Sequence, residues 1–412
     1  MTRLHAGRKS ALALQVEANS RSEGALAPGE LKARTEAAAA VAAKNAARVD
    51  RDARFPEEAI AAARTQRLLG IMVPRDLGGE GASVSDVVDV CYGLGRGCSS
   101  TAMIYAMHQI MVACVLRHRR DTAWHERLLR RLCAEQMLLA SSTTEGRGGG
   151  NVRSSEAPIE RSGSRISLER RATVISYGAN ADAIVTTARR AADAAASDQV
   201  LAVFLKEDYS LEPLVAWDTL GMRGTCSAGF TLRAGGDSDQ ILPDPYEAIH
   251  VQTMTPIAHL MWASVWAGVA AGAVERAQFF VRNAARQAGG QLPPGAAHYT
   301  KATSSLLTLR GVVASLLRKF EQASHDQEAL ASLDFQTRVN LTKVEASELA
   351  VSTVMSALRA CGLSGYRNDG DFSVGRYLRD VLSSPIMINN DRILANAAAA
   401  SLMSAVPGSV SD

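Results

Sequence analysis

The sequence predicts an α+β protein: an N-terminal helical domain, a middle β domain and a C-terminal helical bundle. Three observations carry this reading. Apolar residues recur at helical period from about Pro28 to Ala134, shift toward period two from about Gln136 to Ile249, and return to helical period from Pro256 to Met403. The chain has 412 residues, enough for more than one domain. It is 47% hydrophobic and 21% charged, the balance of a globular protein, and with aromatics at only 5% its core must be built from Ala, Val, Leu and Ile. The expected division is a flexible tail at 1–27, a helical domain at 28–134, a β domain at 135–249 and a bundle at 250–412.

Each element has a local reason. Leu31 to Ala47 is alanine-rich without Gly or Pro, a strong helix former. Phe55-Pro56-Glu57-Glu58 opens a second helix, with proline at its start and carboxylates on the positive end of the dipole, and that helix is expected to end near Gly70. Ser83 with Asp86 three residues on predicts a capped helix start. Arg165 to Glu169, Ala183 to Thr187 and Val200 to Leu205 have strand length and strand pattern, and Arg233 to Ser238 reads as a turn between strands. Val344, Val351, Val354, Leu358 and Cys361 form one stripe of a bundle helix. Gly289-Gly290 and Pro293-Pro294 separate the first two long helices of the bundle.

Composition also excludes classes. A formal net charge of +3 does not argue for nucleic acid or a membrane surface as partner. The six cysteines form no C-x-x-C pair, so they read as small buried hydrophobes in a reducing cytoplasm, with no metal site. Gly97 to Leu116 and Ile249 to Val274 are long and uncharged, but their Ser, His, Gln and Pro residues favour buried helices over membrane spans. The first 27 residues lack the apolar core of a secretory signal.

Four stretches, in order, carry a family resemblance. Leu69 to Gly81 is similar to G-(L/I)-x-x-P-x-x-x-G-G-x-G, and Thr144-Glu145-Gly146-Arg147-Gly148-Gly149-Gly150-Asn151-Val152 to T-E-P-x-x-G-S-D-V. Val174-Ile175-Ser176-Tyr177-Gly178 stands where the family has W-I-T-N-G. Cys361 to Tyr366 with Arg376-Tyr377-Leu378-Arg379-Asp380 looks like G-G-x-G-(Y/F) and R-x-x-R-D. On these motifs the chain resembles the acyl-CoA dehydrogenase superfamily of flavoproteins from about Leu31 to Leu402. The resemblance implies a barrel-like middle domain, a C-terminal four-helix bundle, bound FAD, and a homodimer or homotetramer.

It also implies site residues. Ser141, Thr143, Thr144 and Ser176 would offer hydroxyls to the flavin, with Ser142 beside them. Val174 replaces the tryptophan that covers the ring, and Gly150 replaces a serine. Arg359 stands at the position of a glutamine that meets the adenine end, Gly362 keeps one of the paired glycines, and Asn390 and Arg392 align with flavin-contacting positions. The segment that binds the pyrophosphate has no clear match, and Met387 stands where the family has an aromatic.

The family's catalytic base is missing. Removing the α-proton of an acyl thioester needs a carboxylate, and that position is Ile388; a second known position is Val265. Asp391 is the closest carboxylate in sequence and is equally a helix-capping residue, while His108 and His259 lie in apolar helices near the expected channel. The leading reading is FAD-dependent oxidation of an acyl group on CoA or a carrier protein, with an electron-transfer flavoprotein as partner, and alternatives stay open. Another is a monooxygenase of the same fold fed by a flavin reductase, for which Ser142, Ser176 and His108 would be the groups of interest near the flavin. A third is a flavin-binding subunit without turnover.

Overall fold

The computed structural model of the chain describes residues 28–145, 153–403, 406 and 408–409. The expected tail at 1–27 and the glycine run with Gly150 lie outside the described residues. Helices α1 (Pro28–Arg51), α2 (Glu57–Thr65), α3 (Val84–Gly97), α4 (Ser99–His118) and α5 (Ala123–Glu135) form the first domain. α1 extends beyond its alanine-rich centre at both ends, with Glu30 in its first turn and Arg48 and Arg51 in its last, each complementing the dipole. α2 ends at Thr65, short of Gly70, because Arg67 takes a left-handed φ of 53° and sends the chain inward as a buried turn. α3 starts on the expected box: Ser83 Oγ accepts the Asp86 N–H at 3.1 Å, and the Asp86 carboxylate accepts the Ser83 N–H at 2.8 Å.

The middle domain holds β1 (Leu139–Ser142), β2 (Glu160–Ser162), β3 (Arg165–Ala172), β4 (Ala183–Arg189), β5 (Gln199–Leu205), β6 (Tyr209–Val215) and β7 (Gly229–Asp237). Among the described residues hydrogen bonding divides them into two sheets, β1-β4-β5 and β2-β3-β7-β6. β1 and β4 are parallel; the other pairs are antiparallel. β3 alternates strictly, with Ile166, Leu168, Arg170 and Ala172 inward. Arg170 joins the two sheets: its Nη1 donates to Thr187 Oγ1 at 2.9 Å and its Nε lies 3.6 Å from Glu145. The turn expected at Arg233 to Ser238 falls mostly inside β7, where Gly235 and Gly236 pair with Ser167 and Ile166. A Cβ on Gly236 would fall 1.9 Å from Gln240 Oε1, so that glycine makes room for a side chain.

A short helix α6 (Tyr246–Ile249) runs through a π turn at His250–Met254 into α7 (Thr255–Gln287). Then come α8 (Ala296–Ala323), α9 (Gln327–Ala331), α10 (Leu333–Tyr366), α11 (Gly375–Val381) and α12 (Asn390–Met403). α10 packs along α7, α8 and α12 as a four-helix bundle. Its buried seam matches the expected stripe only in part: Val354 and Cys361 are buried. Val344, Val351 and Leu358 are half-buried, whereas Lys343, Ala346, Ser347, Ala350, Thr353 and Ala357 are fully enclosed. Small side chains let the helices approach closely, and hydropathy alone does not mark them. The two membrane-length stretches are core helices: 89% and 94% of their most apolar windows are buried within the fold.

Candidate active site

The three parts of the chain meet around a cavity of about 520 Å³. α4 contributes Met103 and Met107. The β domain contributes Ser141, Thr143, Thr144, Val174, Ser176 and much of the 217–227 segment. The bundle side contributes Trp262 from α7, Arg379 from α11, and Leu382, Ser383 and Ile386 to Ile388 beyond it. Such a junction, apolar with a few convergent polar groups, is the ordinary form of a cofactor pocket.

Irregular backbone shapes these walls. Tyr177, Met222, Cys226 and Ile388 all adopt left-handed φ, between 45° and 53°, at or beside the cavity. A non-glycine residue held there costs roughly 1–3 kcal/mol and persists only where its surroundings fix it. Each has such a fixture. Tyr177 is fully buried, with its hydroxyl donating to Leu139 O at 2.8 Å. The Met222 N–H donates to the buried Asp380 carboxylate at 2.7 Å, and Gly221 lies so near α11 that a Cβ would sit 2.1 Å from Arg379 O. Cys226 Sγ reaches Ala53 O at 3.8 Å. Ile388 O accepts from Lys343 Nζ at 2.8 Å.

Polarity is uneven around the cavity. One wall is methionine, tryptophan, leucine, isoleucine and valine. Another is hydroxyls: Ser227 Oγ donates to Ser176 Oγ at 2.8 Å, and Thr225 Oγ1 lies 2.7 Å from Ser227 Oγ. With Ser227 as the donor, Ser176 keeps its own hydrogen for the cavity. Arg379 is the one charged group among the described lining residues, and its guanidinium is paired with Asp50.

The structure brings Ser141, Thr143, Thr144, Val174 and Ser176 together on this cavity, with Met387 and Ile388. Ser142, next to Ser141 on β1, is wholly buried and not among the lining residues, as strand alternation requires. His108 is removed from the site. It is fully buried, its Nε2 bonded to Leu69 O at 2.8 Å and its Nδ1 accepting the Leu139 N–H at 3.0 Å. Burial pushes its pKa down to about 4, so it is a neutral structural ring. His259 is likewise buried against Val339 O and pushed down to about 3 by desolvation. Asp391 is also removed: it is exposed in the first turn of α12, while the Arg392 N–H is capped by Asn389 Oδ1 at 3.1 Å. Asn390 lies behind the wall, bonded to Lys343, Ser347 and Glu348. Arg359, Gly362 and Arg392 are exposed and do not line the cavity. Gly362 has a left-handed φ of 55°.

Sequence reasoning missed Trp217 and Trp262, two of the four tryptophans of the chain, on a cavity with no aromatic forecast. It also missed the 219–227 loop and Lys343. The scarcity of tryptophan was the one available signal. The lining suits a flavin: a flat apolar wall, hydroxyl donors, and a buried Trp262 Nε1–H with no partner among the described residues.

The cavity thus lies between a helical domain, paired sheets and a four-helix bundle. The family models for the acyl-CoA dehydrogenase N-terminal domain and C-terminal domain match residues 31–136 and 251–403. Together they span more than half of the chain, which belongs to the acyl-CoA dehydrogenase family, whose members are flavin enzymes. The chain is 23% identical over 361 residues to a probable acyl-CoA dehydrogenase, fadE25, of Mycobacterium leprae (strain TN), covering 85% of this chain and 88% of that protein. It is 25% identical over 356 residues to the amino sugar nitrososynthase DnmZ of Streptomyces peucetius, covering 82% and 84%. FMN-bound TdsC from Paenibacillus sp. A11-2 has the same fold, with a TM-score of 0.79 at 19% identity over 92% of this chain and 98% of that one.

Proposed function

We propose that the chain is a monooxygenase of the acyl-CoA dehydrogenase fold that uses reduced flavin delivered by a separate reductase. One observation carries this reading above thioester oxidation: the wall where the family's base would stand is Ile388, and the described lining holds no carboxylate. Ser141, Thr143, Thr144 and Ser176 would hold the polar edge of the flavin, and Val174 and Trp262 its faces. Reduced FMN or FAD bound there would supply two electrons for oxygen activation and leave oxidised, one oxygen atom going to the substrate and the other to water. Ser176, accepting from Ser227, would keep its own O–H to donate a hydrogen bond to the ring. The methionine, tryptophan and isoleucine wall excludes water and selects an apolar substrate.

The likeness to fadE25 favours a second reading, oxidation of an acyl thioester on CoA or a carrier protein without the usual base. A homodimer or homotetramer would cover the exposed Leu307, Leu363 and Tyr366 of the bundle and complete an FAD adenine site near Arg359 and Gly362. The two readings separate in one experiment. Purified protein is loaded with FMN or FAD and titrated with acyl-CoA thioesters without oxygen, then assayed with a flavin reductase, NADH and oxygen on small aromatic substrates. Bleaching of the visible band by a thioester alone would overturn the monooxygenase reading. Oxygenated product formed only with reductase and oxygen supports it.

A further inference from the structure

Lys343 lies in the seam of α10 with no exposed surface. Its ammonium has three hydrogens and meets three acceptors: Ser384 O at 3.1 Å, Ile388 O at 2.8 Å and Asn390 Oδ1 at 2.7 Å. All three belong to one segment, 384–390, whose Ile386, Met387 and Ile388 line the cavity. The ammonium also sits 5.6 Å from the centre of the Trp266 ring on α7. Asn390 is held in turn, its Nδ2 donating to Ser347 Oγ at 2.9 Å and Glu348 Oε1 at 2.8 Å. A lysine whose donors are spent and which does not reach the cavity is neither base nor nucleophile.

The segment needs such a fixture. Ile388 is β-branched and left-handed, φ 49°, the conformation least suited to its side chain. Local bonds hold the flanks, with Met387 N–H to Ser383 O and Asn390 N–H to Pro385 O, each at 2.9 Å. The carbonyl of Ile388 itself is oriented by Lys343.

We propose that Lys343 is a positioning residue of the candidate active site, locking the 384–390 segment in the turn that presents its apolar wall to the ligand. It acts through the Ile388 backbone and touches no ligand. The inference rests on the cavity being the flavin and substrate site.

The test is a double-mutant cycle on the full-length protein: K343M, I388G and K343M/I388G against wild type. Hydrogen exchange reads the segment, and the visible circular dichroism of bound FMN reads the wall. K343M is expected to speed exchange at 384–392 about tenfold while the centre of α7 is unchanged, and to alter the bound-FMN spectrum. Glycine tolerates the left-handed turn, so adding K343M to I388G is expected to have a much smaller effect. Equal effects of K343M in both backgrounds, exchange accelerated throughout the bundle, or no change at 384–392 would each overturn the inference. Should K343M not fold, N390A removes one of the three acceptors; faster exchange confined to 384–392 supports the inference, and exchange spread along α7 overturns it. Failure of the wild type to bind FMN refutes the reading of the cavity, while the exchange cycle still judges the clamp.

Discussion

Replacing His108 by leucine separates a structural histidine from a catalytic one. The ring joins three segments: α4 carries it, Leu69 O accepts from it, and the Leu139 N–H at the start of β1 donates to it. Leucine fills most of the volume but makes neither bond. Leu69 O keeps a partner, Gln109 Nε2 at 3.1 Å, so the net loss is one buried N–H without an acceptor. That costs about 1–3 kcal/mol at neutral pH. The pH dependence sharpens the test. The folded pKa is about 4 against an ordinary 6.5, so below pH 6.5 the unfolded chain binds a proton that the folded chain refuses. Stability from this group is therefore present above pH 6.5 and lost as pH falls to 4, a swing of roughly 3 kcal/mol. The leucine variant lacks that swing. Urea unfolding should show H108L less stable at pH 7.5, with the gap closing or reversing near pH 4.5. His125, His250 and His259 are also pushed down by burial, but they act in both proteins and cancel in the difference. A gap that is the same at both pH values refutes the reasoning, as does loss of turnover with unchanged stability.

Other outcomes follow from the same geometry. S176A removes the hydroxyl that faces the cavity and should weaken FMN binding about five- to tenfold, the worth of one neutral hydrogen bond, as read by fluorescence titration. G221A places a Cβ 2.1 Å from Arg379 O, a backbone atom that cannot swing away, and should lower the urea midpoint by the equivalent of about 1–3 kcal/mol while loosening the Met222–Asp380 bond. I388E supplies the missing carboxylate and, where a thioester binds, should accelerate anaerobic bleaching by acyl-CoA about a hundredfold or more over wild type; wild type bleaching as fast as I388E would show that a base is already present. Turnover should be flat from pH 5.5 to 7, because Arg379 is the one ionisable group among the described lining residues, and should fall above pH 8. There Lys343, pushed down to about 8 by burial against the weaker pull of Glu348, loses a hydrogen and can satisfy only two of its three acceptors.

The parts of this fold that were legible are those whose causes are local. Ser83 and Asp86 write their helix start within four residues, and Gly289-Gly290 and Pro293-Pro294 write the α7–α8 break. The failures share another origin. Gly235 and Gly236 carry the chemistry of a turn, yet both pair within β7 and Gln240 occupies the space that the missing side chain of Gly236 leaves. His108 reads as a histidine on an apolar helix whichever role it has; its partners Leu69 and Leu139 lie in other segments, and only the fold brings them to it. The seam of α10 mixes Val339, Val354 and Cys361 with alanine, serine, threonine and one lysine, so the hydropathy stripe found Val354 and Cys361 but not the small and polar positions beside them. Of the site, the β-domain hydroxyls were legible through family motifs. On the bundle side Met387 and Ile388 were legible too, whereas Asp391, Asn390 and Arg392 straddle a helix start that turns them away from the cavity.

Ile388 draws these observations together. A carboxylate at this position would need its side chain aimed and its proton affinity tuned. Isoleucine needs neither, yet the chain still holds the position in a costly left-handed turn and spends a buried lysine on its carbonyl. Strain retained without a reactive side chain has to serve the shape of the wall. The same holds for Met222, whose left-handed turn is fixed by Asp380 and brings the 217–227 loop against the other side of the cavity. Among the described lining residues, shape and hydroxyl placement are thus what the protein contributes, and on the proposed monooxygenase reading acid–base chemistry would come from the flavin, oxygen or the substrate. That division of labour suits a reaction in which the wall selects an apolar substrate and keeps water out better than one that begins with proton abstraction by the protein.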